Sequence, residues 1–259
     1  MWGEFPAGGH SFTAYLSVYN PAMWAATLFK EALLAQGITV DGTPRSRDFR
    51  AAEAERFDPQ KAFEIAFTES RTLGEIVHQT NKESNNLYAE LILRTLGKER
   101  GSLAPDPDPR KNRERGDDDA GVAVEKSWLN RNGISTNGLA IRDGSGLSRL
   151  DLVTPEATAR LLVAISKTSS AAVFHDSLPI AGRDGTLKPR LLREAGKVFA
   201  KTGTLTYDHS LSGYATTQND EVLAFSIFCN DATGHSDPVR LIDEVARLLI
   251  AFNAQPNTK

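Results

Sequence analysis

The stretch that decides the fold is Val198-Phe-Ala-Lys-Thr-Gly-Thr-Leu-Thr-Tyr-Asp-His-Ser-Leu-Ser-Gly-Tyr-Ala-Thr-Thr-Gln-Asn-Asp-Glu-Val-Leu-Ala-Phe-Ser-Ile-Phe-Cys229. It contains three short strand-like runs, over 198–206, 210–217 and 221–229, and short polar segments divide them. Runs of this length with polar dividers are typical of strands joined by tight turns. The stretch therefore predicts an antiparallel three-stranded meander.

Helical patterns flank the meander in the sequence. Residues 73–96 read as two helical pieces that meet at Ser84, and residues 120–132 and 154–167 read as further helices. Asp237 begins a last helix, whose apolar residues recur at helical spacing. Together these patterns predict an α/β protein of the α+β type, in which helices flank an antiparallel sheet.

The remaining segments have weaker patterns. Asn20 and Gly37 delimit a first helix, and residues 38–40 and 62–68 predict two short strands. Residues 98–119 contain three prolines and blocks of like charge. Such a segment buries too little apolar surface to order itself, so we predict an exposed charged loop there.

The composition excludes several classes of function. The chain has 259 residues, 40% of them hydrophobic, and 30 basic against 33 acidic residues, so its charge does not favour nucleic acid. No apolar stretch approaches the roughly 18 residues of a membrane span. Residues 1–9 lack the basic and apolar regions of a signal peptide. Cys229 is the single cysteine and the five histidines lie scattered, so we expect no disulfide, no metal and no cofactor.

One short motif, formed by Lys201, Thr202 and Gly203, has the chemistry to hold a carboxylate. The ammonium of Lys201 supplies charge and Thr202 supplies a hydrogen-bond donor, while Gly203 lets a ligand approach the backbone. The backbone amide of Thr204 can point at a developing oxyanion if this strand borders the site.

A second short motif is Ser-Asn-Asn at 84–86. Ser84 lies at a helix junction, where its hydroxyl can relay a proton to a leaving amine, and the amide of Asn86 can bind a peptide backbone. Neither motif is specific alone, because Lys-Thr-Gly occurs by chance and Ser-x-Asn is a common helix cap.

Longer segments around the two motifs resemble one family. They are, in order, Asn81-Lys-Glu-Ser-Asn-Asn-Leu-Tyr-Ala-Glu-Leu-Ile-Leu-Arg94, Asp143-Gly-Ser-Gly-Leu-Ser-Arg149, Leu178-Pro-Ile-Ala-Gly-Arg-Asp-Gly-Thr-Leu187, and Ala200-Lys-Thr-Gly-Thr-Leu205 with Ser210-Leu-Ser-Gly-Tyr214. The chain thereby resembles the D-Ala-D-Ala carboxypeptidase/endopeptidase class of low-molecular-mass penicillin-binding proteins. The resemblance implies a penicillin-binding/β-lactamase-like transpeptidase fold, with residues 1–259 as the C-terminal portion of a single domain.

The resemblance also implies a function. Such enzymes cleave the terminal D-Ala, or D-amino-acid cross-links, of peptidoglycan stem peptides through an acyl-enzyme, bind β-lactams, and act in the periplasm or elsewhere outside the cytoplasm. By resemblance, the catalytic residues here are Ser84, Asn86 and Lys201. The substrate-binding residues are Thr202, Gly203, Thr204 and Arg149.

The sequence departs from the family's pattern in one respect. No serine has a lysine three positions later, so the Ser-x-x-Lys element that supplies the nucleophile has no match. The nearest mimic, 27–30, begins with threonine and lies within a helical pattern. We therefore expect the N-terminal part of the fold to be missing and the isolated chain to be inactive. The strand at 221–229 would then have an open edge, which predicts self-association or a partner chain that supplies the missing part.

Two alternatives stay open. A non-catalytic peptidoglycan or muropeptide binder would retain the carboxylate-holding strand, and Lys201→Ala would weaken its binding. A β-lactamase-like hydrolase would share the motif pair, but it is not expected to share the segments at 143–149 and 178–187.

Overall fold

A computed structural model of the protein describes residue 8 and residues 16–47, 58–102, 116–232 and 237–252. The chain divides into two compact units, Met1–Thr68 and Glu69–Lys259. That residues 1–259 form part of a single transpeptidase-like domain stays a prediction.

The first unit contains helix α1, Pro21–Ala35. Asn20 caps it, since its Oδ1 accepts a hydrogen bond from the Met23 N–H at 3.1 Å. The strands predicted at 38–40 and 62–68 are wrong, because neither segment is paired in a sheet among the described residues. A strand needs a neighbour to satisfy its backbone groups, and alternation alone does not supply one.

The described residues of the second unit form six helices, which we label α2 Leu73–Glu83, α3 Asn86–Arg100, α4 Asp117–Arg131, α5 Pro155–Ile165, α6 Ala171–Ser177 and α7 Pro238–Ala251. Helices α2 and α3 confirm the two predicted pieces. Thr72 and Glu75 form a capping box at the start of α2. None of the described helices combines the length and apolarity that a membrane crossing requires.

The charged loop predicted over 98–119 is too long at both ends. Residues 98–100 belong to α3, and residues 117–119 form the first turn of α4. Three acidic side chains in a first turn stabilise a helix through its dipole, which the charge count alone did not reveal. Residues 103–115 lie outside the described residues.

The sheet confirms the predicted meander. Its strands are β1 Val198–Leu205, β2 Asp208–Thr216 and β3 Val222–Cys229, antiparallel and in the order β1-β2-β3. His209, in the polar segment between the runs 198–206 and 210–217, lies in β2 opposite Thr204. Tyr207, with a φ of 69°, makes the turn one residue earlier than the polar residues suggested.

Helices cover both faces of this sheet. One face packs on α7 through a core of Val198, Ala200, Leu211, Ala215, Phe225, Ile242, Ala246 and Ile250. The other face packs on α5 through Phe199, Tyr214, Ala224 and Leu162. The Tyr214 hydroxyl donates to the Leu162 carbonyl at 2.8 Å and so joins α5 to β2. The predicted antiparallel sheet flanked by helices is therefore present.

The segment from Leu178 to Leu187 runs along the outer side of β1. Ile180 pairs with Phe199, and the Ala200 N–H donates to the Pro179 carbonyl at 2.9 Å. This segment lies between β1 and the C-terminal end of α2, so it is the part of the fold that connects the two predicted motifs.

Candidate active site

Ser84 occupies a sharp junction between α2 and α3. Its backbone is left-handed, with φ 55° and ψ 50°, and its N–H donates to the Thr80 carbonyl at the end of α2. The next residue, Asn85, caps α3 by accepting the Tyr88 N–H at 3.0 Å. Left-handed backbone is uncommon for a residue other than glycine and recurs at functional sites. Here it ends one helix and starts the next within two residues.

The structure brings the two predicted motifs into contact. The Nζ of Lys201 donates to the Ser84 Oγ at 2.8 Å and to the Thr202 carbonyl at 2.7 Å. The two side chains are 117 residues apart in the sequence. This hydrogen bond is the centre of the candidate site.

Burial changes the titration of Lys201. Removal from water disfavours the charged form, and this lowers the pKa of Lys201 to about 8. At neutral pH the side chain is therefore mostly an ammonium, but it can release a proton far more easily than an exposed lysine. It can bind an anion below pH 8 and accept a proton above it.

Strand alternation separates the side chains of the Lys-Thr-Gly motif. Lys201 lies opposite Ser212 and Gly203 lies opposite Ser210, on one face of the sheet. A Cβ on Gly203 would overlap the Ser210 Oγ, so an alanine there would force the serine hydroxyl into another rotamer. Thr202 lies on the other face, where its Oγ1 is 2.8 Å from the Thr186 Oγ1. The Thr202 hydroxyl therefore already has a partner.

The other predicted site residues lie at the margins of this contact. Asn86 is the first residue of α3 and its side chain is exposed, and Thr204 is exposed on β1. Arg149 binds the β1–β2 hairpin, with Nη1 2.6 Å from the Asp208 Oδ2 and Nη2 2.8 Å from the Thr206 carbonyl. Its recorded hydrogen bonds do not join it to Ser84 or Lys201.

Asp143 shapes the loop that carries Arg149. Its carboxylate accepts backbone N–H groups from Ser145, Gly146 and Ser148. Burial alone would raise the pKa of Asp143, but these hydrogen bonds hold it below the usual value. These hydrogen bonds fix the turn that precedes Arg149.

Sequence reasoning missed an ion pair next to Ser84. The Lys82 Nζ lies 2.8 Å from the Asp184 Oδ2 and donates to the Leu178 carbonyl at 2.6 Å. Both charged residues stand in the segments quoted for the family resemblance, but neither had a role. The available signal was the position of Lys82, two residues before the predicted catalytic serine.

No group of three or more His, Cys, Asp or Glu side chains in the described part of the chain could hold a metal ion. An open pocket lined by α2 and α6 includes Lys82 and Asp176 but neither Ser84 nor Lys201. The groups that the candidate site presents are the Lys201 ammonium, the Ser84 and Thr202 hydroxyls and the backbone amides of β1.

Several known proteins are similar to this chain in sequence or in fold. The model of the D-Ala-D-Ala carboxypeptidase 3 (S13) family matches residues 1–251. The chain belongs to this family. The S13 chain is 37% identical over 246 residues to a D-alanyl-D-alanine carboxypeptidase of Actinomadura sp. (strain R39), which covers 92% of this chain and 42% of that protein. It is 28% identical over 233 residues to D-alanyl-D-alanine carboxypeptidase DacB of Haemophilus influenzae, covering 85% of this chain and 42% of DacB.

A solved structure supports the fold. The crystal structure of penicillin binding protein 4 (dacB) from Haemophilus influenzae, in complex with a β-lactam, matches the S13 chain with a TM-score of 0.72 and 25% identity. The match covers 92% of this chain and 53% of that structure. The predicted family and the penicillin-binding transpeptidase-like fold are confirmed. The S13 chain spans about half or less of the length of these relatives.

Proposed function

We propose that this S13 chain carries the proton-relay and carboxylate-binding part of a serine-type D-Ala-D-Ala carboxypeptidase/endopeptidase. Its substrates would be peptidoglycan stem peptides outside the cytoplasm, cleaved through an acyl-enzyme, and β-lactams would bind in their place. The observation that carries the proposal is the 2.8 Å hydrogen bond between the Lys201 Nζ and the Ser84 Oγ. The family and its carboxypeptidase relatives support the same reaction.

Lys201 is proposed to hold the terminal carboxylate of the stem peptide. Its ammonium is half-buried, and a charge-assisted hydrogen bond is stronger where water is partly excluded. Gly203 keeps the adjacent backbone accessible, and the exposed Thr204 can present its amide to a developing oxyanion. Thr202 can donate to the carboxylate when its Oγ1 accepts the Thr186 hydrogen, because its own hydroxyl hydrogen is then free.

Ser84 is proposed to relay a proton to the leaving amine. Its Oγ accepts from Lys201, so its own hydroxyl hydrogen is free for donation. As the amine leaves, it takes the proton from the Ser84 hydroxyl, and Ser84 regains one from the Lys201 ammonium. The pKa of Lys201, lowered to about 8 by burial, makes this second transfer accessible near neutral pH.

Asn86 and Arg149 are assigned supporting roles. The exposed side-chain amide of Asn86, one residue beyond Asn85, can bind the peptide backbone of the substrate. Arg149 is proposed to line the cleft from the hairpin end of β1, where it is fixed by Asp208. The proposal assigns no nucleophile to these 259 residues.

A fluorescent penicillin tests the proposal, because it carries a carboxylate and reports both reversible and covalent binding. We expect fluorescence anisotropy to show reversible binding by the chain, and denaturing electrophoresis with intact mass to show no adduct. Lys201→Met should weaken the binding about tenfold or more, as expected for loss of a half-buried charged partner. The matched control is Lys197→Met, which removes a lysine just before β1 that pairs with Asp220.

Two outcomes would contradict the proposal. Equal affinity of the wild-type chain and the Lys201→Met variant would remove the carboxylate role. A stoichiometric covalent adduct would place a nucleophile within these residues, against the assignment made here.

A further inference from the structure

A half-buried ion pair lies beside the Ser84–Lys201 hydrogen bond. The Lys82 side chain is only 11% exposed, and its Nζ lies 2.9 Å and 2.8 Å from the two Asp184 oxygens. We propose that Lys82 and Asp184 are positioning residues, which fix the end of α2 against β1 so that the Ser84 hydroxyl meets Lys201. Of the effects expected from this pair, only the effect on substrate binding rests on the proposed function.

Lys82 has no free donor with which to touch a substrate. An ammonium has three N–H groups, and here they face the Leu178 carbonyl and both oxygens of Asp184. Its neighbour Asn81 adds a parallel link, since its Nδ2 donates to the Ser177 Oγ at 2.7 Å. Lys82, with all three donors used, therefore bonds the last turn of α2 to the segment along β1, and Asn81 bonds the same turn to the end of α6.

Asp184 continues this connection into the sheet. Its Oδ1 accepts the Ile180 N–H at 2.8 Å, and Ile180 pairs with Phe199 of β1. Two residues after Asp184, Thr186 bonds to Thr202, which is the neighbour of Lys201. One ion pair therefore joins the chain two residues from Ser84 to the strand that carries Lys201.

Near the ion pair, the backbone of the segment that carries Asp184 lies very close to the backbone of α2. Gly185 has a φ of 55°, and a Cβ there would lie 2.9 Å from the Lys82 carbonyl oxygen. Glycine at this position lets the Asp184 segment lie directly against the last turn of α2. Lys82 is the more buried partner, at 11% exposure against 42% for Asp184, so loss of the Asp184 carboxylate would leave a largely buried ammonium without its charge partner.

The test uses Lys82→Met and Asp184→Asn in the whole chain. The control is Asp243→Asn, which breaks the more deeply buried Arg190–Asp243 pair between the segment before β1 and α7. Three quantities are measured for each variant: the melting temperature, the dissociation constant for a stem peptide ending in D-Ala-D-Ala, and the pKa of Lys201. The pKa comes from the pH dependence of its acetylation by acetic anhydride, read by mass spectrometry.

In Lys82→Met and Asp184→Asn, the end of α2 should separate from β1, and water should then reach Lys201. We expect the pKa of Lys201 to rise from about 8 toward the ordinary lysine value in both site variants, because burial is what lowers it. The dissociation constant should increase about tenfold. Asp243→Asn should lower the melting temperature while leaving both of these quantities unchanged. Lys82→Arg keeps the charge pair, so it should retain the wild-type pKa and affinity within about threefold.

The proposal is overturned if Lys82→Met lowers the melting temperature, as the control does, but leaves the Lys201 pKa and the affinity at wild-type values. If Lys82→Met does not fold, Asp184→Asn decides, because it keeps the shape of the side chain and an oxygen for the Ile180 N–H. A wild-type chain that binds no peptide would contradict the proposed function, whereas the pKa of Lys201 would still test the ion pair.

Discussion

Lys201 keeps a positive charge where burial disfavours it. Two acceptors, the Ser84 hydroxyl and the Thr202 carbonyl, compensate only in part, because the pKa of Lys201 still falls to about 8. A fall from 10.5 to about 8 corresponds to at most about 3 kcal/mol of destabilisation at pH 7. Residues that cost stability in this way are typical of functional sites.

Lys201→Met should therefore stabilise the fold at neutral pH while it removes ligand binding. The folded pKa lies below the unfolded one, so the charged form destabilises the folded state below pH 8, and this penalty fades as pH rises toward 10.5. We expect the free energy of unfolding to rise by about 1 kcal/mol at pH 7, after the two lost hydrogen bonds are counted. Urea unfolding at pH 7 and at about pH 9.5 measures the difference, which should shrink at the higher pH. A variant less stable than wild type at pH 7 would contradict the account.

The affinity for a carboxylate ligand should depend on pH through the same group. A bound carboxylate favours the ammonium and raises the pKa of Lys201 in the complex. Affinity should therefore be constant below pH 8 and fall by up to about tenfold per pH unit between the pKa of the free chain, about 8, and that of the complex. Calorimetric titrations across this range test it. The Lys197→Met control should follow the wild-type profile, and a flat wild-type profile would exclude Lys201 as the anchor.

Among individual residues, the sequence predicted the pair at the centre of the candidate site but not the ion pair beside it. Ser84 and Lys201 were found because each stands in a short motif with its own chemistry. Lys82 and Asp184 lie 102 residues apart in segments with no repeating pattern between them. Their ion pair depends on how the chain folds back, so no local signal connected them.

Helices and strands were predicted best where a hydrophobic pattern runs over many consecutive residues. The meander follows from strand-like runs with polar dividers and the last helix follows from helical spacing, and both are confirmed. The strand at 62–68 was wrong because alternation says nothing about a partner. The boundary of α4 was wrong because a run of acidic residues favours both a loop and a helix N-terminus.

Gly203 faces Ser210 across the β1–β2 pair, a contact that the Lys-Thr-Gly motif alone does not reveal. Gly203→Ala should lower the free energy of unfolding by about 1 kcal/mol, because its Cβ would overlap the Ser210 Oγ across the β1–β2 pair and force that hydroxyl from its rotamer. Ser210→Ala removes that oxygen and leaves the Ser210 Cβ at an ordinary distance of 3.6 Å. The double variant should recover most of the lost stability in urea unfolding. Additive losses in the double variant would show that the clash is not the cause.

In the molecule as a whole, β3 is the outer strand of the sheet. In the described residues β3 pairs only with β2, and Val222 near its start is 60% exposed. Unpaired strand edges are templates for another chain. The S13 chain also covers only 42% of the length of each of these two carboxypeptidase relatives.

Because of this edge, we expect the isolated chain to self-associate or to bind a partner chain. Light scattering at increasing protein concentration should show a mass above 28.2 kDa. Val222→Lys places a charge at the exposed edge and should reduce the association. Arg160→Lys, on the exposed surface of α5, is a control that should not change it. A stable, monodisperse monomer of the wild-type chain would contradict this expectation.

The central claim is that Lys201, set against Ser84, recognises a terminal carboxylate. The most direct measurement compares two stem peptides that differ only at the C-terminus, one ending in D-Ala-D-Ala as the free acid and the other as its amide. The account predicts that the wild-type chain binds the acid at least about tenfold more tightly than the amide, and that Lys201→Met abolishes this preference. Equal binding of acid and amide by the wild-type chain would contradict it.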